Sequence, residues 1–134
     1  MSDMDTRTLH LLLFSVGGIC FGVDAGQVAE MTAYNGESDV DLFWFHEEMG
    51  YADKAVRYQS PIIATIKAGM GSQYRVVIDS MEDIAEFSQS DISPFPSMLE
   101  QFVLRRGCWG ILLRQKQMIV LLDFRRLLRE RSSE

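Results

Sequence analysis

The chain has 134 residues and 15.3 kDa, with 47% hydrophobic and 24% charged residues, the proportions of one ordinary globular domain. This composition excludes a disordered chain, a collagen-like repeat and a disulfide scaffold, and a formal net charge of −6 speaks against general nucleic-acid binding, which needs a basic surface. Two cysteines, Cys20 and Cys108, are too few for a secreted framework, so a cytoplasmic protein is expected.

The longest apolar stretch, Leu9 to Val23, is broken by His10, Ser15 and Gly17-Gly18, whereas a membrane-spanning helix needs roughly 20 apolar residues. A signal peptide wants a positive start, and Asp3 and Asp5 outnumber Arg7 here. The stretch therefore reads as a hairpin, Leu9–Val16 and Ile19–Val23, about a Gly17-Gly18 turn that tolerates positive φ. Asp24 to Met31 follows as either a short helix or an irregular strand, and 32–39 as a loop turning at Asn35-Gly36. Asp39 or Asp41 is expected to cap a helix with Leu42, Phe45 and Met49 on one face and Gly50 as its stop. Residues 51–60 read as polar linker.

Strands are expected at Ile62–Lys67 and Gln73–Ile78, around a turn at 68–72, and again at Met81–Phe87. Residues 88–93 are a polar turn region. Pro94 and Pro96 exclude helix and suggest an extended edge, and Ser97–Phe102 has the makings of one helical turn. Cys108–Leu113 and Met118–Leu122 pair about a turn at Gln115-Lys116-Gln117, and Asp123 caps a closing helix, Phe124–Glu130. The total is about seven strands and three short helices.

The chain repeats itself. FGVDAGQVAEM (Phe21 to Met31) aligns with VVIDSMEDIAEF (Val76 to Phe87), each after a strand and a glycine-containing turn. Each copy leads on to a second aspartate, Asp41 in the first and Asp123 in the second. The Asp24–Asp41 interval is 17 residues and the Asp79–Asp123 interval 44, so the first copy is shorter by 27. Self-similarity of this kind bears on the whole fold; a hairpin and its flanks are missing from the first half.

Catalytic signatures are absent from the sequence. HEEMG at His46 lacks the second histidine of a zinc-protease helix, and His10, His46, Cys20 and Cys108 show no metal-ligand spacing. There is no nucleophile elbow, P-loop or dinucleotide fingerprint. Glu47-Glu48 and Glu82-Asp83 are adjacent pairs, which on a helix do not face each other. No enzyme activity, metal or cofactor is expected. Charge is divided, with a net +6 from Arg105 to Arg131 and −12 elsewhere; the basic segment is either a partner surface or a solvated helix face whose arginines suit the C-terminal dipole.

At FGVDAGQVAEM, RVVIDSMEDIAEF and RRGCWGILLRQKQMIVLLDFRRLL the sequence resembles the chemotaxis coupling-protein (CheW-like) family. ISPFP (Ile92 to Pro96) stands at that family's proline link. The first half matches at Leu11–Met31 and resumes at Val40–Gly50, without the family's Gly-x-x-x-x-Arg-Gly hairpin between them. The resemblance implies a mainly β fold of two SH3-like barrel subdomains on a shared core, within one 1–134 domain. Residues 9–50 would form a truncated, incomplete first barrel and 61–131 the second.

It also implies a non-catalytic scaffold of two-component signal transduction, bridging chemoreceptors and a histidine kinase by protein–protein contacts. The alternative is a diverged homodimeric or regulatory module that has lost coupling. The interface residues it implies are Val28, Glu30 and Met31, with Ile78, Asp79 and Met81 in the other half. Side chains such as Val28, Met31, Ile78 and Met81 equally suit plain packing, and Glu30 equally suits a solvated carboxylate. The shortened first half leaves either a gap covered by a second copy or a subdomain closed by the Asp41 helix. Phe43 and Trp44 are read as an exposed aromatic patch or as residues covered by the 51–60 linker.

Overall fold

Thr8–Val16 (β1) is apolar almost throughout because it is covered on both faces. In the computed structural model, which describes residues 8–36, 42–50, 56–67, 71, 73–97 and 107–132 (129–132 as backbone only), successive side chains leave the strand in opposite directions. Leu11 and Leu13 enter one cluster with Cys20, Leu112, Ile119 and Leu121. Leu12, Phe14 and Val16 enter another with Phe21, Val23 and Leu122. A strand buried on both sides loses its polar alternation.

Gly17 (φ 63°) and Gly18 (φ 84°) make the expected tight turn into β2 (Ile19–Asp24). The next stretch resolves the helix-or-strand alternative in both senses. Asp24 accepts from the Gly26 N–H at 2.9 Å, capping a single 3-10 turn at Ala25–Gln27, and the chain then extends as β3 (Val28–Ala33). The remaining elements are β4 (Leu42–Trp44), α1 (Phe45–Glu48), β5 (Pro61–Lys67), β6 (Gln73–Asp79), β7 (Met81–Ser88), β8 (Cys108–Arg114), β9 (Gln117–Leu122) and α2 (Phe124–Ser132). The described residues thus hold nine strands rather than seven.

The helix expected from Asp39 or Asp41 is corrected. Leu42–Trp44 is a strand, parallel to β6, and only Phe45–Glu48 is helical before Gly50 (φ 71°) ends it. Aromatic residues fit a pleated surface well, and the open edge of β6 decides between two local conformations that sequence spacing leaves equal. The capping aspartates, most of the 68–72 turn and the Ser97–Phe102 turn beyond Ser97 lie outside the described residues. The β8–β9 turn is two residues, Gln115 (φ 51°) and Lys116 (φ 69°), both left-handed without a glycine.

The strands form a five-stranded sheet, β7-β1-β2-β9-β8, and a four-stranded sheet, β3-β5-β6-β4. The fold is mainly β with short helices, as expected. One ion pair links the two edge strands of the larger sheet, Arg114 of β8 lying 3.6 Å from Asp83 of β7. Between the sheets lies one shared core, centred on Phe14, Phe21, Phe45 and Phe124.

The two repeat copies are interleaved. The leading hairpin of the first copy, β1-β2, pairs with β7 and β9 of the second, while the hairpin β5-β6 of the second pairs with β3 and β4 of the first. Each sheet therefore draws on both 9–50 and 61–131, and the sheets do not follow those two segments. The parallel ladders match in register: Gly22 lies opposite Leu121 and Val77 opposite Trp44, each two residues before its repeat aspartate. Leu42, Phe43 and Trp44 thus take the places of Ile119, Val120 and Leu121. Asp41 is not the counterpart of Asp123, and what the first copy lacks among the described residues is one strand, the equivalent of β8, rather than a whole hairpin.

Candidate interaction surfaces

The repeat aspartates are structural. Asp79 is buried, 5% exposed, and its carboxylate accepts from the backbone N–H groups of Gln59 at 2.9 Å and Ser60 at 2.6 Å, tying the entry of β5 to the end of β6. Ile78 is fully buried in the shared core. Both were candidates for the interface; burial makes them a core residue and a backbone anchor. Asp123 caps α2, accepting from the N–H groups of Arg125 at 3.0 Å and Arg126 at 3.4 Å.

Gln27, which sequence reasoning passed over, joins the two copies. Its Oε1 accepts from the Phe124 N–H at 2.9 Å and its Nε2 donates to Asp123 at 3.0 Å. One amide thereby satisfies a free donor at the start of α2 and fixes β3 relative to that helix. No period or motif marks such a residue; only its burial does.

Val28, Met31, Phe43 and Met81 are half-buried and pack against the shared core. They form parts of its rim. Val28 and Met31 lie on β3, an edge strand of the smaller sheet; Phe43 lies on β4, the other edge, 6.2 Å from the Tyr74 ring. Met81 opens β7, an edge of the larger sheet, opposite Phe14. Glu30 is exposed on β3. These residues share one core but make no single patch, because β3 and β4 are separated by two strands.

Trp44 does not point freely outward. Its ring meets Tyr34 at 5.2 Å and Tyr58 at 5.1 Å, both edge-on, and His46 at 6.1 Å. The Tyr58 hydroxyl accepts from the His46 N–H at 3.2 Å and lies 2.9 Å from His46 Nδ1. Tyr58 belongs to the stretch read as linker, so the covered alternative holds for Trp44. Together with Leu42, Ile63 and Val77 these aromatic rings fill the inner face of the smaller sheet. In the larger sheet that role includes Leu112 of β8. Burial drives the Tyr58 hydroxyl up to about 12, helped by the nearby Asp79 and Glu47 carboxylates and opposed by the His46 hydrogen bond.

Other polar groups serve the surface of the larger sheet. His10 pairs with Glu86 at 3.2 Å across β1 and β7, and Ser15 donates to Glu82. The free thiol of Cys20 is buried; desolvation, then the Glu82 charge, pushes it up and away from the reactive thiolate. Among the described residues no three His, Cys, Asp or Glu side chains are grouped to hold a metal ion. Arg125 and Arg126 are exposed on α2, opposite the buried Phe124, Leu127 and Leu128. No described helix is long and apolar enough to cross a membrane.

Two unequal sheets around one aromatic core, built from interleaved copies of a strand unit, make a CheW-like fold. Among solved structures the chain is similar to the scaffolding protein TtCheW from Thermoanaerobacter tengcongensis, at 14% sequence identity and a TM-score of 0.68, over 91% of this chain and 93% of that one. No protein-family profile and no curated protein matches the sequence.

Proposed function

We propose that the chain is a non-catalytic cytoplasmic adaptor of the chemotaxis coupling type, which holds a chemoreceptor's cytoplasmic domain and a histidine kinase together by protein–protein contacts. The observation that carries this reading is the likeness to a scaffolding protein along nearly the whole of both chains. The edge strand β3, with half-buried Val28 and Met31 and the exposed Glu30, offers apolar contact bordered by charge, the make-up of a protein-binding surface. Titration of the purified chain against the kinase's regulatory domain tests it. Binding below about 50 μM is expected, and Glu30→Arg weakens it; no binding at that concentration refutes coupling.

One observation favours the diverged reading instead. The smaller sheet has four strands among the described residues where the larger has five, and β4 is an edge of it. A chain that binds the receptor domain but not the kinase would establish that alternative.

A further inference from the structure

Among the described residues β3 pairs with one strand only, β5, at an edge of the smaller sheet. Its ladder is also interrupted near the start. Val28 lies opposite Ile66 and Glu30 opposite Thr65, so the register shifts between them and Ala29 has no counterpart. An irregularity of this kind bends a strand and weakens its pairing locally. It falls between Val28 and Glu30, two residues of the surface proposed above, so the sheet holds least firmly the part of β3 most concerned with docking.

Gln27 supplies a hold from elsewhere. It is the last residue of the 3-10 turn that leads into β3, and it is buried, 8% exposed. Its Oε1 accepts from the Phe124 N–H and its Nε2 donates to Asp123. Both bonds reach the start of α2, which is set in the shared core through Phe124, Leu127 and Leu128. The strand is thereby anchored just ahead of its first residue, and to an element outside its own sheet. The second repeat copy uses the same position with different chemistry. The residue ahead of its matching Ile-Ala-Glu is Asp83, which ties β7 to β8 through Arg114.

We propose that Gln27 is the positioning residue of the docking strand: through α2 it holds Val28 to Glu30 in the conformation that a partner meets. The partner rests on the adaptor reading; the hold on β3 does not. A surface kept in its bound conformation spares a partner the cost of ordering it. Loss of the two hydrogen bonds therefore shows in affinity as well as in stability.

The experiment compares two variants of the full chain. Gln27→Met keeps the length of the side chain and removes both hydrogen bonds, while Ile119→Val, inside the larger sheet, loosens packing away from β3. Urea midpoints fix the conditions under which each is folded. Amide hydrogen exchange is expected to speed up in β3 by about tenfold or more in Gln27→Met, and to stay at the wild-type rate there in Ile119→Val. Against the kinase's regulatory domain Gln27→Met is expected to bind about tenfold more weakly, and Ile119→Val like wild type. If Gln27→Met does not fold, Gln27→Glu takes its place, since its carboxylate is set against that of Asp123. Exchange in β3 that stays at the wild-type rate overturns the proposal, as does binding by the Gln27 variant no weaker than that of Ile119→Val. A wild-type chain that does not bind the kinase domain, with β3 loosened in the Gln27 variant, refutes coupling and supports the hold on β3.

Discussion

Replacing Phe45 by alanine tests the claim that one core unites the two sheets. Phe45 is fully buried and follows β4 of the smaller sheet. Its ring stands edge-on to Phe21 at 4.8 Å, Phe14 at 5.2 Å and Phe124 at 6.2 Å; the first two belong to the larger sheet and the third to α2. Truncating a buried phenylalanine costs about 3–5 kcal/mol in transfer and cavity terms, and edge-to-face pairs add about 0.5–1.5 kcal/mol each beyond area. With three such pairs lost, Phe45→Ala should cost about 4.5 kcal/mol or more, a large part of the roughly 5–15 kcal/mol that holds a domain folded. Phe45→Leu keeps most of the apolar volume and should cost about 2 kcal/mol.

The assay is urea unfolding followed by tryptophan fluorescence, in variants that leave only Trp44 or only Trp109 as reporter. Trp44 sits in the smaller sheet and Trp109 in the larger, so a single core predicts one midpoint for both, moved together by the substitution with the slope m unchanged. A loss below about 2 kcal/mol, or two midpoints of which only the Trp44 one moves, would refute the reasoning.

Two further outcomes follow from the geometry. At Gly107 (φ 84°) an added Cβ would lie 2.7 Å from the Asp123 carbonyl oxygen and 3.1 Å from the Leu127 nitrogen; left-handed strain of about 1–2 kcal/mol and overpacking of about 1–3 kcal/mol give Gly107→Ala a loss of about 3 kcal/mol in the same assay, and a loss under about 1 kcal/mol would contradict the close approach. Tyr58, driven up from 10.0 to about 12, keeps its proton in the folded chain after the unfolded chain has lost it, so the unfolded state binds fewer protons between those values. This contribution to stability is intact below pH 10 and lost as pH rises through about 12; Tyr58→Phe should fall less steeply than wild type across that window, and parallel curves would refute the assignment.

Much of the fold was legible because its signals are local. Paired glycines with positive φ announce the β1–β2 turn, Asp123 caps a helix from its own sequence neighbourhood, and a run such as Leu11 to Phe14 shows burial on two faces. The candidate surface was legible only in part. The side chains of Val28, Met31 and Met81 suit packing, and only the structure sets them on edge strands against the core; Asp79 reads like Asp24 and does something else: Asp24 caps the adjacent turn, whereas Asp79 binds backbone 19 and 20 residues away. The Phe43-Trp44-Phe45 run is too short for its spacing to separate strand from helix, and the partner of Trp44 lies in a stretch that has no hydrophobic period.

From its residues alone the chain specifies strands, turns, an internal duplication and a first copy that is too short. Which strand lies beside which is decided only in three dimensions. Ladder hydrogen bonds join backbone to backbone and are blind to side-chain identity, and the two copies carry nearly the same apolar pattern, so each hairpin could be completed by strands of its own copy or of the other. The aromatic core between the sheets selects the exchange, because only there do Phe45 and Phe124, each following the last strand of its copy, meet Phe14 and Phe21.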